Sequence, residues 1–157
     1  MRFLNLFKRA ERPPLPRIDH TVFGRMEATL VLEDGSYFWE TPDGVPTPKG
    51  PISIFLDGRM DGPSEAQVAL WAWIYENSER LINSAQPLLL DRLREFGLER
   101  HIGDLVWSAA GLSPDGDRNG RWDLSFELSA GNSRFDGAIL TAYFVEGVPT
   151  GVVNFDD

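Results

Sequence analysis

A chain of 157 residues with 42% hydrophobic content has the length and composition of one globular domain. It has no cysteine, which excludes disulfide bonds, thiolate metal sites, cysteine nucleophiles and iron–sulfur ligation. The formal net charge of −9 is uneven, because residues 1–17 carry +4 and the remainder carries −13. An acidic body repels phosphate backbones, so we expect no nucleic-acid binding and favour a basic protein partner.

Residues 1–17 are predicted to be a basic N-terminal tail that ends in a proline-rich linker. Its apolar residues lie beside basic ones, which is typical of a short basic amphipathic helix; they are Phe3, Leu4, Leu6 and Phe7, with Arg2, Lys8, Arg9 and Arg12. The functional interpretation is a weak membrane or partner contact through residues 1–12. We favour the alternative, a segment that docks on its own acidic domain or frays. No apolar run approaches the ~20 residues of a membrane span, and no secretory leader is evident, so we expect a cytoplasmic protein.

Residues 18–157 are predicted to form a single domain that begins with three strands. Residues 23–33 alternate between apolar and polar side chains, as a half-buried strand does. Asp34-Gly35 indicates a hairpin that returns through residues 37–39. Residues 42–51 hold four prolines and two glycines and indicate a loop. A third strand follows at residues 52–57.

The segment from Ser64 to Phe96 has the only long helical periodicity in the sequence. Ser64 and Gln67 have the spacing of a capping box, and Gly97 is suited to end the helix. Pro87 removes a backbone donor and clashes with the preceding turn, so we expect a break there. The sequence therefore predicts two helices, over residues 64–85 and 87–96.

Further strands are predicted at residues 105–112, 121–129, 138–145 and 151–155. Strands joined by tight turns pair antiparallel, and one helical block flanked by strands indicates an α+β fold. The expected architecture is an antiparallel sheet of six to seven strands, with the proline-broken helix packed on one face.

The segment from residue 115 to 123 has the composition of a calcium-binding loop. Asp115, Asp117 and Asn119 stand at alternating positions before a glycine, with Asp123 further on. Phe126 occupies the position where a bidentate glutamate is required, and the flanking segments are strands. We therefore favour an ordinary hairpin loop and keep a metal site as the alternative.

Candidate catalytic and partner-binding residues are few. Neither His20 nor His101 has a partner at a metal-ligand spacing, and a catalytic role requires a neighbouring carboxylate in space. We assign no catalytic residue and no cofactor. Trp39 and Trp73 are candidate anchors for a partner if they are exposed, because tryptophan is enriched at binding hot spots.

Several short stretches resemble uncharacterised bacterial domains of unknown function, some of them encoded among toxin–immunity loci. These stretches are His20 with Val22-Phe23-Gly24, the strand around Ile52 and Ile54, the long helix, and Phe135-Asp136-Gly137. The resemblance implies a small cytoplasmic α+β domain without an established activity. Related domains have a histidine after the late glycine, where this chain has Ala138.

These observations favour a non-enzymatic protein-interaction domain, of the immunity type or another, that docks an acidic surface on a basic partner. The alternative is a small-ligand-binding protein or a hydrolase-like enzyme that uses a cleft between sheet and helix.

Overall fold

The computed structural model describes residues 14–129, 131 and 134–154, and it has the α+β architecture that the sequence predicts. Eight strands form one sheet in which every strand lies beside its neighbour in sequence. Six of the seven pairings are antiparallel, and the β4–β5 pairing is parallel because two helices connect these strands. The strands are β1 (Arg17–His20), β2 (Gly24–Val31), β3 (Tyr37–Glu40), β4 (Ser53–Gly58), β5 (Leu105–Leu112), β6 (Arg121–Leu128), β7 (Ile139–Val145) and β8 (Val148–Asn154). The helices are α1 (Glu65–Glu76) and α2 (Ser78–Glu95), followed by a 3₁₀ helix at Glu99–Asp104.

The sheet has eight strands, so the prediction of six to seven was too low. The missed strand is β1, which is only four residues long and pairs antiparallel with β2. Pro16 already belongs to this edge of the sheet, because its carbonyl accepts the Ala28 N–H at 3.0 Å. The predicted amphipathic helix and the contact through residues 1–12 lie outside the described residues.

The start of α1 is built as predicted, but the break between the helices is not at Pro87. The Ser64 hydroxyl accepts the Gln67 backbone N–H at 3.2 Å, and the side-chain Oε1 atom of Gln67 accepts the Ser64 N–H at 2.9 Å. The helical segment is interrupted at Asn77, whose dihedral angles are φ −102° and ψ 7°. The Asn77 side chain donates to the Trp73 carbonyl at 2.9 Å, so it competes for an acceptor of the helix.

α2 continues through Pro87 as far as Glu95. Pro87 and Asn83, whose carbonyl loses its usual N–H donor, are both exposed, so water can satisfy that carbonyl. Gly97 ends α2 as predicted, with φ +67° and its N–H donated to Arg94. The Leu98 N–H bonds to the Leu93 carbonyl at 2.9 Å, which completes a Schellman motif.

Both helices pack on the same face of the sheet and form a single core with it. Among the described residues, no helix is long and apolar enough to cross a membrane. The buried helical residues include Leu70, Trp71, Ile74, Leu81, Ala85, Leu89 and Leu93. The buried strand residues include Met26, Trp39, Ile54, Leu56, Trp107, Trp122, Leu124, Phe126, Leu140, Ala142 and Phe144.

Gln67 fixes the start of α1 to the ends of the two parallel strands. Its side chain is buried, and its amide nitrogen donates to the carbonyls of Asp57 at 2.8 Å and Ser113 at 3.2 Å. Asp57 lies at the end of β4 and Ser113 directly follows β5. Because β4 and β5 are parallel, the segments that precede them meet at the opposite edge of the sheet.

Candidate functional site

The candidate site is the second face of the sheet, formed by the outward side chains of β2 to β7. The outward aromatic residues Phe38, Phe55 and Tyr143 do not belong to the core that both helices share. The strand register aligns Phe55 with Gly111, Gly111 with Asp123, and Asp123 with Tyr143. These four residues therefore form a row across the middle of this face, from β4 to β7.

The centre of the row is a carboxylate that lies over a glycine. A Cβ atom at Gly111 would lie 2.4 Å from the Asp123 Oδ2 atom, so only glycine leaves room for this carboxylate. Burial raises the pKa of Asp123 above its usual value, and a hydrogen bond from the Gly111 backbone and the Arg121 charge partly offset that effect. The fold thus holds a partly desolvated carboxylate on an outward surface, which is the kind of perturbed group found at functional sites.

Aromatic side chains flank the carboxylate on both sides. On one side, the rings of Phe38 and Phe55 stack with centroids 6.0 Å apart and an interplanar angle of 13°. Leu30, which pairs with Phe38, is 46% exposed and extends this apolar surface. On the other side, the Arg121 guanidinium lies 4.1 Å from the centroid of the Tyr143 ring. The face therefore already contains one guanidinium–aromatic contact of its own.

A second row beside the first consists of small side chains. The register aligns Ser53 with Ala109, Ala109 with Ser125, and Ser125 with Thr141. The Ser125 and Thr141 hydroxyls are hydrogen-bonded at 2.9 Å. The side chains of this second row are small, so they project less from the sheet than the aromatic rings of the first row.

The charge of this face is predominantly negative. The outward carboxylates of β2 to β6 are Glu27, Glu40, Asp57, Asp123 and Glu127, and the outward cations of the same strands are Arg25 and Arg121. Arg25 contacts Glu27 at 3.6 Å and Asp43 at 3.4 Å. Burial, followed by the nearby charge of Asp34, raises the pKa of Asp57. The net charge favours a cationic occupant.

His101 and a carboxylate meet, but on an exposed turn. The His101 Nδ1 atom lies 2.7 Å from the Asp104 Oδ2 atom within the 3₁₀ helix, and the Asp104 side chain is 48% exposed. The Arg100 Nε atom donates to the other ring nitrogen of His101 at 3.1 Å. Both ring nitrogens of His101 are therefore hydrogen-bonded to neighbouring residues of this turn.

His20 serves the turn between β1 and β2. Its Nδ1 atom accepts the N–H groups of Val22 at 3.2 Å and Phe23 at 3.4 Å, and its ring lies 5.1 Å from that of Phe23. Burial lowers the pKa of His20, which keeps the accepting nitrogen unprotonated. The two histidines therefore lie on different turns of the fold, and neither belongs to the outward row on the sheet.

The structure separates the residues of the candidate calcium loop. Asp115 Oδ1 accepts the Asp117 N–H at 3.0 Å, and Asp117 Oδ1 accepts the Asn119 N–H at 2.9 Å, as in consecutive Asx turns. Asp123 lies apart from them on β6 with its carboxylate over Gly111. In the part of the chain that the structure describes, no three His, Cys, Asp or Glu residues are grouped so as to hold a metal.

The two candidate tryptophan anchors belong to the core or border it. Trp39 is 0% exposed, and its indole N–H donates to the Arg59 carbonyl at 3.0 Å. Trp73 is half-buried against Trp122, with ring centroids 5.9 Å apart and an edge-on geometry. Trp39 therefore presents no surface to a partner, and Trp73 presents only part of its ring.

The aromatic residues on the outward face of the sheet are Phe38, Phe55 and Tyr143, which are half-buried and were not predicted to be binding residues. An indication was present, since Phe55 occupies the outward position between Ile54 and Leu56, where alternation favours a polar residue.

Comparison of the chain with protein-family models, curated proteins and solved structures finds no match.

Proposed function

We propose that this protein is a non-enzymatic protein-interaction domain, of the immunity type or a related one, whose second sheet face docks an arginine-rich segment of a basic partner. The observation that carries this proposal is the outward row of Phe55, Gly111, Asp123 and Tyr143, which combines aromatic rings with a partly desolvated carboxylate.

Arginine suits this surface better than lysine. A guanidinium stacks on aromatic rings and bonds a carboxylate with two parallel N–H donors, whereas an ammonium is a compact and strongly hydrated charge. The stacked rings of Phe38 and Phe55 offer such a platform, and the Arg121–Tyr143 contact shows the same chemistry within the chain. Each exposed guanidinium–ring contact contributes on the order of 0.5–1 kcal/mol.

The charge of the protein also favours a basic partner. Residues 18–157 carry a net charge of −13, which steers cationic segments toward the domain and raises their association rate. Each exposed ion pair formed on the face contributes about 0.2–1 kcal/mol and weakens as salt is added. Several such contacts are needed for stable binding, and the face offers carboxylates on β2, β3, β4 and β6.

The test uses a peptide of alternating arginine and serine residues, and a lysine–serine peptide of equal length for comparison. Fluorescence anisotropy measures the dissociation constant of each peptide at low and at moderate salt. Two double variants have the same net charge but lose their carboxylates at different places, so they distinguish an effect of position from an effect of overall charge. One is Glu40→Gln with Glu127→Gln on the second sheet face, called the open face, and the other is Glu76→Gln with Glu79→Gln on the helices.

The arginine peptide is expected to bind more tightly than the lysine peptide. The open-face double variant is expected to weaken binding about three- to tenfold, and the helical double variant less than about twofold. Phe55→Ser is expected to reduce the preference for arginine over lysine. Equal losses in the two double variants, or no binding of either peptide at low salt, would overturn the proposal.

A further inference from the structure

On the helical side of the sheet there is a cavity that the proposed docking face does not use. It has a volume of about 190 Å³ and lies between α2, the 3₁₀ helix and the start of β5. Its walls are mainly apolar and are formed by Ile82, Leu89, Ile102, Leu105, Trp107 and Phe126. An engineered cavity of about 150 Å³ is large enough to hold benzene, so this volume is sufficient for a small organic molecule.

The parallel pairing of β4 and β5 determines the position of this cavity. Parallel strands begin at the same edge of a sheet, so the loop before β4 and the 3₁₀ helix before β5 come together there. Lys49 belongs to that loop and lines the cavity, together with Gln86 from α2. Lys49 and Gln86 are both exposed, so their polar side chains lie at the solvent side of the cavity and the apolar walls lie deeper.

Lys49 is an exposed cation at the opening of this cavity. In the part of the chain that the structure describes, it forms no ion pair, although residues 18–157 carry a net charge of −13. The wall residue Trp107 offers no polar group to a ligand, because its indole N–H donates to the Ala109 carbonyl at 2.8 Å. The cavity therefore pairs an apolar interior with one positive charge and one amide at its opening.

We propose that this cavity binds a small apolar carboxylate, with the hydrocarbon part inside and the carboxylate at Lys49 and Gln86. A ligand of this class buries its apolar carbon atoms against the walls and keeps its charge where water and the ammonium can stabilise it. The volume corresponds to roughly six water molecules of liquid, which is room for about six to eight carbon atoms. An amine of the same length would place a positive charge beside Lys49.

The test uses hexanoate, hexanol and hexylamine at neutral pH, with binding followed by changes in backbone amide chemical shifts and by titration calorimetry. Hexanoate is expected to bind about fivefold more tightly than hexanol, and hexylamine more weakly than either. Its shift changes are expected at Lys49, Gln86, Ile102 and Leu105. Lys49→Met is expected to make the hexanoate and hexanol affinities equal.

Arg118→Met is the matched control, because it removes an exposed cation from the distant loop before β6. It is expected to leave the preference for hexanoate unchanged. Ile82→Trp fills the cavity and is expected to abolish binding of all three compounds. Because that variant alters the core, Lys49→Met provides a second test at an exposed residue. No binding of hexanoate, an acid-to-alcohol ratio unchanged by Lys49→Met, or shift changes confined to the outward residues of β4 to β7 would overturn the proposal.

Discussion

Replacing Gln67 with leucine removes three hydrogen bonds at the point where α1 meets the ends of β4 and β5. The Ser113 carbonyl loses a donor in a buried position, and the Asp57 carbonyl and the Ser64 N–H lose partners in partly buried ones. A buried polar group left without a partner costs about 1–3 kcal/mol, and a partly buried one costs less because water reaches it. We expect a loss of about 3–4 kcal/mol in the free energy of unfolding.

Urea unfolding followed by tryptophan fluorescence measures this loss, with Ser64→Ala as the matched control. Ser64→Ala removes only the hydroxyl cap and is expected to lose about 1 kcal/mol. Gln67→Glu keeps an acceptor for the Ser64 N–H but places a carboxylate beside two carbonyls, so its loss should be larger at neutral pH than in acid. If Gln67→Leu loses no more stability than Ser64→Ala, the two strand-end hydrogen bonds do not hold α1 in place.

Three further predictions concern backbone contact and pH. Gly116→Ala should lower the free energy of unfolding by at least about 2 kcal/mol, because φ at this position is +70° and the added Cβ would lie 2.3 Å from the Ala66 carbonyl carbon. Gly35→Ala is the control: its φ is +82° but its Cβ would meet no atom, so it should lose only about 1 kcal/mol in the same urea assay. Asp123→Asn should be more stable than the native protein at neutral pH, because the raised pKa of Asp123 means that its ionised form destabilises the fold. The difference in stability should vanish as pH falls below 3.8, which a pH series of urea unfolding curves measures. The lowered pKa of His20 means that native stability is lost as pH falls below 6.5, and His20→Asn, which keeps an acceptor, should reduce that loss in the same series.

Local interactions made the helix ends predictable. The capping box of Ser64 and Gln67 involves residues three apart, and the Gly97 cap depends on the left-handed conformation of one residue. The break at Asn77 rather than at Pro87 was not predictable in the same way. Pro87 lies on the solvent-exposed side of α2, where water can satisfy the carbonyl that loses its N–H donor, so the helix continues through it. That exposure follows from the way in which α2 packs on the sheet.

The arrangement of the open face was only partly evident in the sequence. Alternation along β6 predicts that Asp123 and Ser125 point outward, and this is observed. Which strand lies beside β6 is a non-local property. The parallel pairing that aligns Phe55 with Gly111 depends on the helical connection, and the antiparallel pairing of β5 with β6 places Gly111 under Asp123. A one-residue shift in that register would align Asp123 with a different residue of β5 and remove the site.

Chemical-shift mapping with the arginine–serine peptide tests whether the outward row of β4 to β7 docks a cationic segment. The largest amide shift changes are expected at Phe55, Gly111, Asp123 and Tyr143, and added salt should reduce them. Shift changes concentrated on α1 and α2, or spread evenly over the surface, would show that this row does not dock the peptide.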